Sequence, residues 1–73
     1  KDKINFFSMI NNKQIEDLKD AEIFIDENKD YSVEEINNMR NELTSYICRK
    51  SKTEIQTEIM RFEDVIDIMD RVI

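Results

Sequence analysis

Residues 51–73 read SKTEIQTEIMRFEDVIDIMDRVI. Ile55, Ile59, Phe62, Ile66, Met69 and Ile73 recur there at alternating intervals of four and three, the return rate of one face of an α-helix. Val65, Val72, Ile68 and Met60 broaden that seam. A two-stranded coiled coil needs only a narrow apolar stripe, so the wide face predicts contact with two neighbours, as in a helix bundle. The flanks carry Gln56, Glu63 and Asp70 on one side and Glu58, Val65 and Val72 on the other. Opposite charges that would zip two identical parallel copies together are missing, which disfavours a parallel homodimer through this helix. Ser51 with Glu54 three residues later forms a capping box, the mark of a helix start.

The same signature appears upstream. Ser32 and Glu35 form a second capping box, with Glu34 and Glu35 at the electropositive end of the helix that follows. Ile36, Met39, Leu43 and Tyr46 then recur at helical spacing, with Val33 and Ile47 alongside. Arg49, Lys50 and Lys52 stand where the carbonyl end of that helix favours cations. Were the two segments one rod, the seam would continue through Lys50, Thr53 and Thr57. It restarts at Ile55 instead, two residues out of phase. A phase jump beside a capping box predicts a turn near 49–52.

In the first third, Leu18, Ala21 and Ile25 form a seam flanked by Ile15 and Phe24. Carried backward, the frame meets polar Gln14 and Asn11 before Phe7 and Ile4. Asn11 and Gln14 make a weak capping signal, and a break at Asn11–Asn12 is favoured over one long helix. Asn28 to Tyr31 reads as a polar joint, since Asn and Asp tolerate turns where Gly is lacking. The expected fold is all-α, a small antiparallel three-helix bundle with helices about 13–28, 33–49 and 52–72. A short apolar N-terminal helical segment precedes them, and residues 1–73 form a single domain.

Composition supports that class. The 73 residues contain no Gly and no Pro, so Gly-dependent hairpin turns and phosphate-cradling loops are excluded. A chain of this size is marginally stable and often leans on a metal, a disulfide or a partner. One cysteine, Cys48, cannot make an internal disulfide, and with no His a zinc site is not expected. A net charge of −6 opposes phosphate backbones, so no nucleic-acid partner is expected. No apolar run approaches the length of a membrane span, and no signal peptide is recognisable. The lone cysteine suits a reducing compartment, which predicts a cytoplasmic location. The sequence opens on Lys1 rather than Met, runs through an apolar N-terminal patch and closes on Ile73, which predicts a domain excised from a larger protein.

Candidate chemistry is sparse. Residues 26–37 partly resemble an EF-hand loop, with Asp26, Asn28 and Asp30 at its first, third and fifth positions and Val33 at its eighth. Tyr31 replaces the turn glycine and Asn37 the bidentate glutamate, so calcium is not expected. Glu16, Asp17, Asp20, Glu63, Asp64, Asp67 and Asp70 fall mostly on polar helix faces and read as solvated surface. Cys48 has no histidine to form a catalytic pair. Catalytic residues, cofactors and metals are therefore all expected to be none.

The apolar surplus points to a partner. Ile4, Phe6, Phe7, Met9 and Ile10 crowd a seven-residue stretch that no single stripe hides. With Ile68, Val72 and Ile73 they form the expected partner-binding set. The expected function is a noncatalytic protein–protein interaction or oligomerisation domain of a larger intracellular protein, acting through a protein partner or self-association. The alternative is a small acidic phage or viral inhibitor that binds a basic site on a target protein.

Overall fold

The computed structural model describes residues 3–73. Most of the described residues are helical, and among them lie three helices and one minimal two-stranded sheet. Strand β1 (Lys3–Ile4) leads into a 3-10 turn at Phe6–Met9, then α1 (Asn12–Asp20), strand β2 (Tyr31–Ser32), α2 (Val33–Cys48) and α3 (Lys52–Val72). The expected single domain of 1–73 includes two residues, 1 and 2, that lie outside the described residues.

Each helix begins where local chemistry dictates. Asn11 accepts from the Gln14 amide at 2.9 Å while the Gln14 side chain accepts from the Asn11 N–H at 3.0 Å. Ser32 and Glu35 reciprocate in the same way at 3.1 and 3.0 Å. At Ser51 the Glu54 carboxylate accepts from the serine hydroxyl at 2.9 Å and, more weakly, from its N–H at 3.4 Å. Such caps satisfy amide donors that a helix start otherwise leaves unpaired. The break at Asn11–Asn12 and the turn at 49–51 stand where the sequence puts them.

The first helix is shorter than expected, ending at Asp20 rather than near 28. Its terminator is a non-glycine residue in the left-handed region, Glu22 at φ 62°. The Ile23 N–H bonds to the Leu18 carbonyl at 2.8 Å and the Glu22 N–H to the Lys19 carbonyl at 2.9 Å, the two bonds of a Schellman stop. Leu18 and Ile23, both buried, supply the apolar contact that accompanies this motif. The left-handed conformation strains a residue with a Cβ, whereas glycine adopts it freely. Glu22→Gly is therefore expected to stabilise the fold by about 0.5–1 kcal/mol, after the entropy glycine adds to the unfolded chain. Urea unfolding measures this, and a loss of stability would contradict the assignment.

The ten residues between α1 and β2 form an irregular connection. Asp26 Oδ1 accepts from the Asn28 N–H at 2.8 Å, and the Tyr31 hydroxyl accepts from the Asp26 N–H at 3.0 Å. Asn5 ties the N-terminal segment to this loop, donating from its side-chain amide to the Glu27 carbonyl at 3.2 Å. The antiparallel pairing of Lys3 with Ser32 and Ile4 with Tyr31 completes the tether. The sequence reading lacks this sheet, whose strands are two residues each and too short for any alternation to register.

One core results. Phe6, Leu18, Ile36, Leu43, Phe62 and Met69 are fully enclosed, with Ile10, Ile15, Ile23, Met39, Ile47 and Val65 around them. Phe6 and Ile10, both in the expected partner-binding set, are buried in the chain's own interior. The apolar N-terminal segment packs inward because the shortened α1 and the loop after it leave core volume that Phe6 fills.

Candidate interaction surface

Two arrangements of side chains stand out, and α3 builds both. The first is a charged cluster centred on Arg61. Its Nε donates to Asp17 Oδ1 at 3.0 Å, and its terminal nitrogens reach Asp17, Asp20 and, at 3.6 Å, Glu58. The guanidinium lies 5.2 Å from the centre of the Phe62 ring. Lys13 meets the other Asp17 oxygen at 3.0 Å. Glu58 also receives the Tyr46 hydroxyl at 3.5 Å and faces Lys50 at 3.9 Å. Asp17 and Glu58 are only 8% and 9% exposed, so the assignment of Asp17 to a solvated face is corrected. Burial alone would raise the Asp17 pKa, but hydrogen bonds from Lys13 and Arg61 outweigh it and hold the carboxylate below its usual range. The Asp20 carboxylate, with Asp17, holds Arg61 above its already high value. Every charge in the cluster is met by an opposite one, the arrangement of a structural clamp between α1 and α3.

The second arrangement is apolar and open. The buried stripe of α3 runs through Glu58, Phe62, Val65 and Met69, not along the expected seam of Ile55, Ile59, Phe62, Ile66, Met69 and Ile73. The helix is rotated because Glu58 finds cations and a hydroxyl inside, which lets a carboxylate take a core position. Ile59, Ile66 and Ile73, each seven residues apart, are left on the flank. Ile59 is 47% and Ile73 51% exposed, while Ile66 is half-buried. By helical geometry this stripe lies roughly 120–160° around the axis from Arg61, and so away from α1. Asp70, on the same flank, pairs with Arg40 of α2 at 2.6 Å.

The expected partner-binding residues are divided by the fold. Ile4 is half-buried beside Tyr31; Phe7, Ile68 and Val72 pack partly against the core; Met9 and Ile73 are exposed. Ile59 and Met60 are exposed apolar residues of α3 that the sequence reading places in or beside the seam. The signal for Ile59 is its seven-residue register with Ile66 and Ile73. Phe24, 70% exposed on the loop after α1, lines an open depression with Glu22, Met39 and Glu42. A neighbouring depression is lined by Ala21, Glu22, Asn41, Glu42, Ser45 and Arg49, polar side chains for the most part.

Other candidate chemistry is accounted for locally. Asp26 is engaged in its own turn, and among the described residues no group of three or more His, Cys, Asp or Glu could hold a metal ion. Cys48 is a free, exposed thiol. Among the described residues no helix is long and apolar enough to cross a membrane. Glu35 is held well below its usual range, at about 2, by the Ser32 backbone N–H first and by Lys29 second, the latter at 3.0 Å. A depressed carboxylate stabilises the fold at pH values above its unfolded pKa, near 4.5, and that contribution is lost as pH falls toward about 2. Glu35→Gln is accordingly expected to flatten the dependence of melting temperature on pH between those limits. An unchanged acid limb would show that the cap does not persist in solution.

No family model, no curated protein and no solved structure matches this chain.

Proposed function

We propose that this chain is a noncatalytic protein–protein interaction domain that docks through the open flank of α3. The carrying observation is the Ile59–Ile66–Ile73 stripe, two of whose three isoleucines are about half exposed beside a core that does not use them. Isolated exposed apolar residues are ordinary on protein surfaces, but a row in helical register is the pattern of helix docking. We read the scaffold as a small antiparallel three-helix bundle. Contacts of Tyr46 with Phe62, Lys50 with Glu58 and Arg40 with Asp70 support that arrangement. An intracellular, cytoplasmic setting within a larger protein is part of the same proposal, supported by the single free cysteine. An acidic inhibitor acting by charge alone would have no use for the isoleucine row, which favours the interaction domain.

A photo-crosslinking residue tests this. Placed at Ile59 in the native cell, it should yield a discrete covalent adduct, with a second copy or another protein. Placed at Glu34, exposed on α2 and on the face turned from α3, it should yield none. Equal labelling at both positions, or none at Ile59, would refute the docking face.

A further inference from the structure

We infer that the occupant of this face is an amphipathic helix whose apolar ridge is bordered by lysine or arginine. The inference rests on the interaction-domain reading and names the chemistry of its partner. Its floor is apolar: Ile59 and Ile73 are exposed, and Ile55 and Ile66 are half-buried against the core. From Ile59 to Ile73 the row covers about 21 Å at 1.5 Å per residue, the length of a four-turn helix.

Its border is acidic. Glu63 and Asp67 follow the isoleucines on the solvent side of α3, with Asp64 and Arg71 farther around the helix. Arg40 neutralises Asp70. Among the described residues, Glu63, Asp64 and Asp67 have no cation within ion-pair distance. The contrast with the Arg61 cluster is informative, because there the same helix meets every buried carboxylate with a cation. A helix lying along the isoleucines would bring its own flanking residues against Glu63 and Asp67. Cations at those positions would gain pairs in a partly desolvated seam, and acids would be repelled.

Charge also discriminates among occupants. A second copy would carry its own −6 and set the same acidic border against itself. Anionic lipid and nucleic acid meet the same repulsion. A basic amphipathic helix alone matches both the floor and the border.

Three labelled synthetic helices test this by fluorescence anisotropy against the full chain. All carry Leu at i, i+3, i+4 and i+7 over four turns, with flanks that are all Lys, all Gln or all Glu. The Lys helix should bind at least about tenfold more tightly than the Gln helix, the Glu helix should be weakest, and the preference should shrink as salt rises. Ile59→Ser with Ile73→Ser, both at exposed positions, should weaken the Lys helix at least about tenfold with an unchanged circular dichroism spectrum. Glu63→Lys with Asp67→Lys should reverse the ranking of the Lys and Glu helices.

Binding of the Lys helix that ignores the isoleucine substitutions would reduce the effect to bulk attraction and overturn the inference. Equal binding of all three helices would overturn the charge assignment and leave the docking face standing. So would a mass that rises with concentration and falls to monomer in Ile59→Ser/Ile73→Ser, since the occupant would then be a second copy. Failure of all three helices together with no crosslink at Ile59 would remove both readings.

Discussion

Arg61→Met is expected to destabilise the fold by about 2–3 kcal/mol, lowering the urea midpoint by about 2–3 M at a slope of about 1 kcal/mol/M. Removing one member of a buried charge pair costs more than the pair was worth, because the remaining carboxylate stays desolvated. Asp17 is the remaining member here: it loses both nitrogen contacts from Arg61 and keeps only the exposed Lys13 ammonium. The figure sits below the usual 3–5 kcal/mol because the Arg61 side chain is 29% exposed and water screens part of the cluster. The loss should narrow as pH falls, because protonation of Asp17 removes the uncompensated charge. Arg61→Met combined with Asp17→Leu should recover to within about 1 kcal/mol of the parent, as apolar replacement of whole buried ion pairs often does. A midpoint unmoved by Arg61→Met would make the cluster an ordinary surface ion pair.

The same residue shows where sequence reasoning reaches and where it stops. The starts of all three helices are readable because a capping box is complete within four residues, as at Asn11–Gln14, Ser32–Glu35 and Ser51–Glu54. The joint after Cys48 is readable because the apolar phase jumps there. The end of α1 is not, since Glu22 takes a conformation that only glycine would announce. The Asp17–Arg61 contact joins residues 44 apart, and no local pattern reports such a distance. The register of α3 fails for a related reason. Two apolar stripes overlap on that helix, and their choice depends on whether Glu58 can be buried. Tyr46, Lys50 and Arg61 make it so, and two of those three lie on α2 or the turn after it. The open Ile59–Ile73 row is visible in the sequence as a seven-residue repeat. Its exposure is not, because it follows from that tertiary choice.

Phe6 carries the other large expected effect. Phe6→Ala is expected to cost about 3–5 kcal/mol, since the ring is fully enclosed and its loss leaves a cavity that the surrounding helices cannot close. A domain of this size commonly has about 5 kcal/mol in total, so the variant should keep at most about 2 kcal/mol and populate its unfolded state measurably at 37 °C. Phe6→Leu, which keeps most of the volume, should lose about 1–2 kcal/mol and remain cooperative, with a midpoint above that of the alanine variant. Met9→Ser, at an exposed position of the same turn, should change stability by less than about 0.5 kcal/mol. The ordering separates two roles that composition alone leaves equivalent. A residue that anchors a partner can be removed with little effect on the isolated chain, whereas a core residue cannot. If Phe6→Ala and Met9→Ser melt alike in the absence of any partner, the N-terminal turn does not seal the core, and Phe6 returns to the surface where a binding role is open to it.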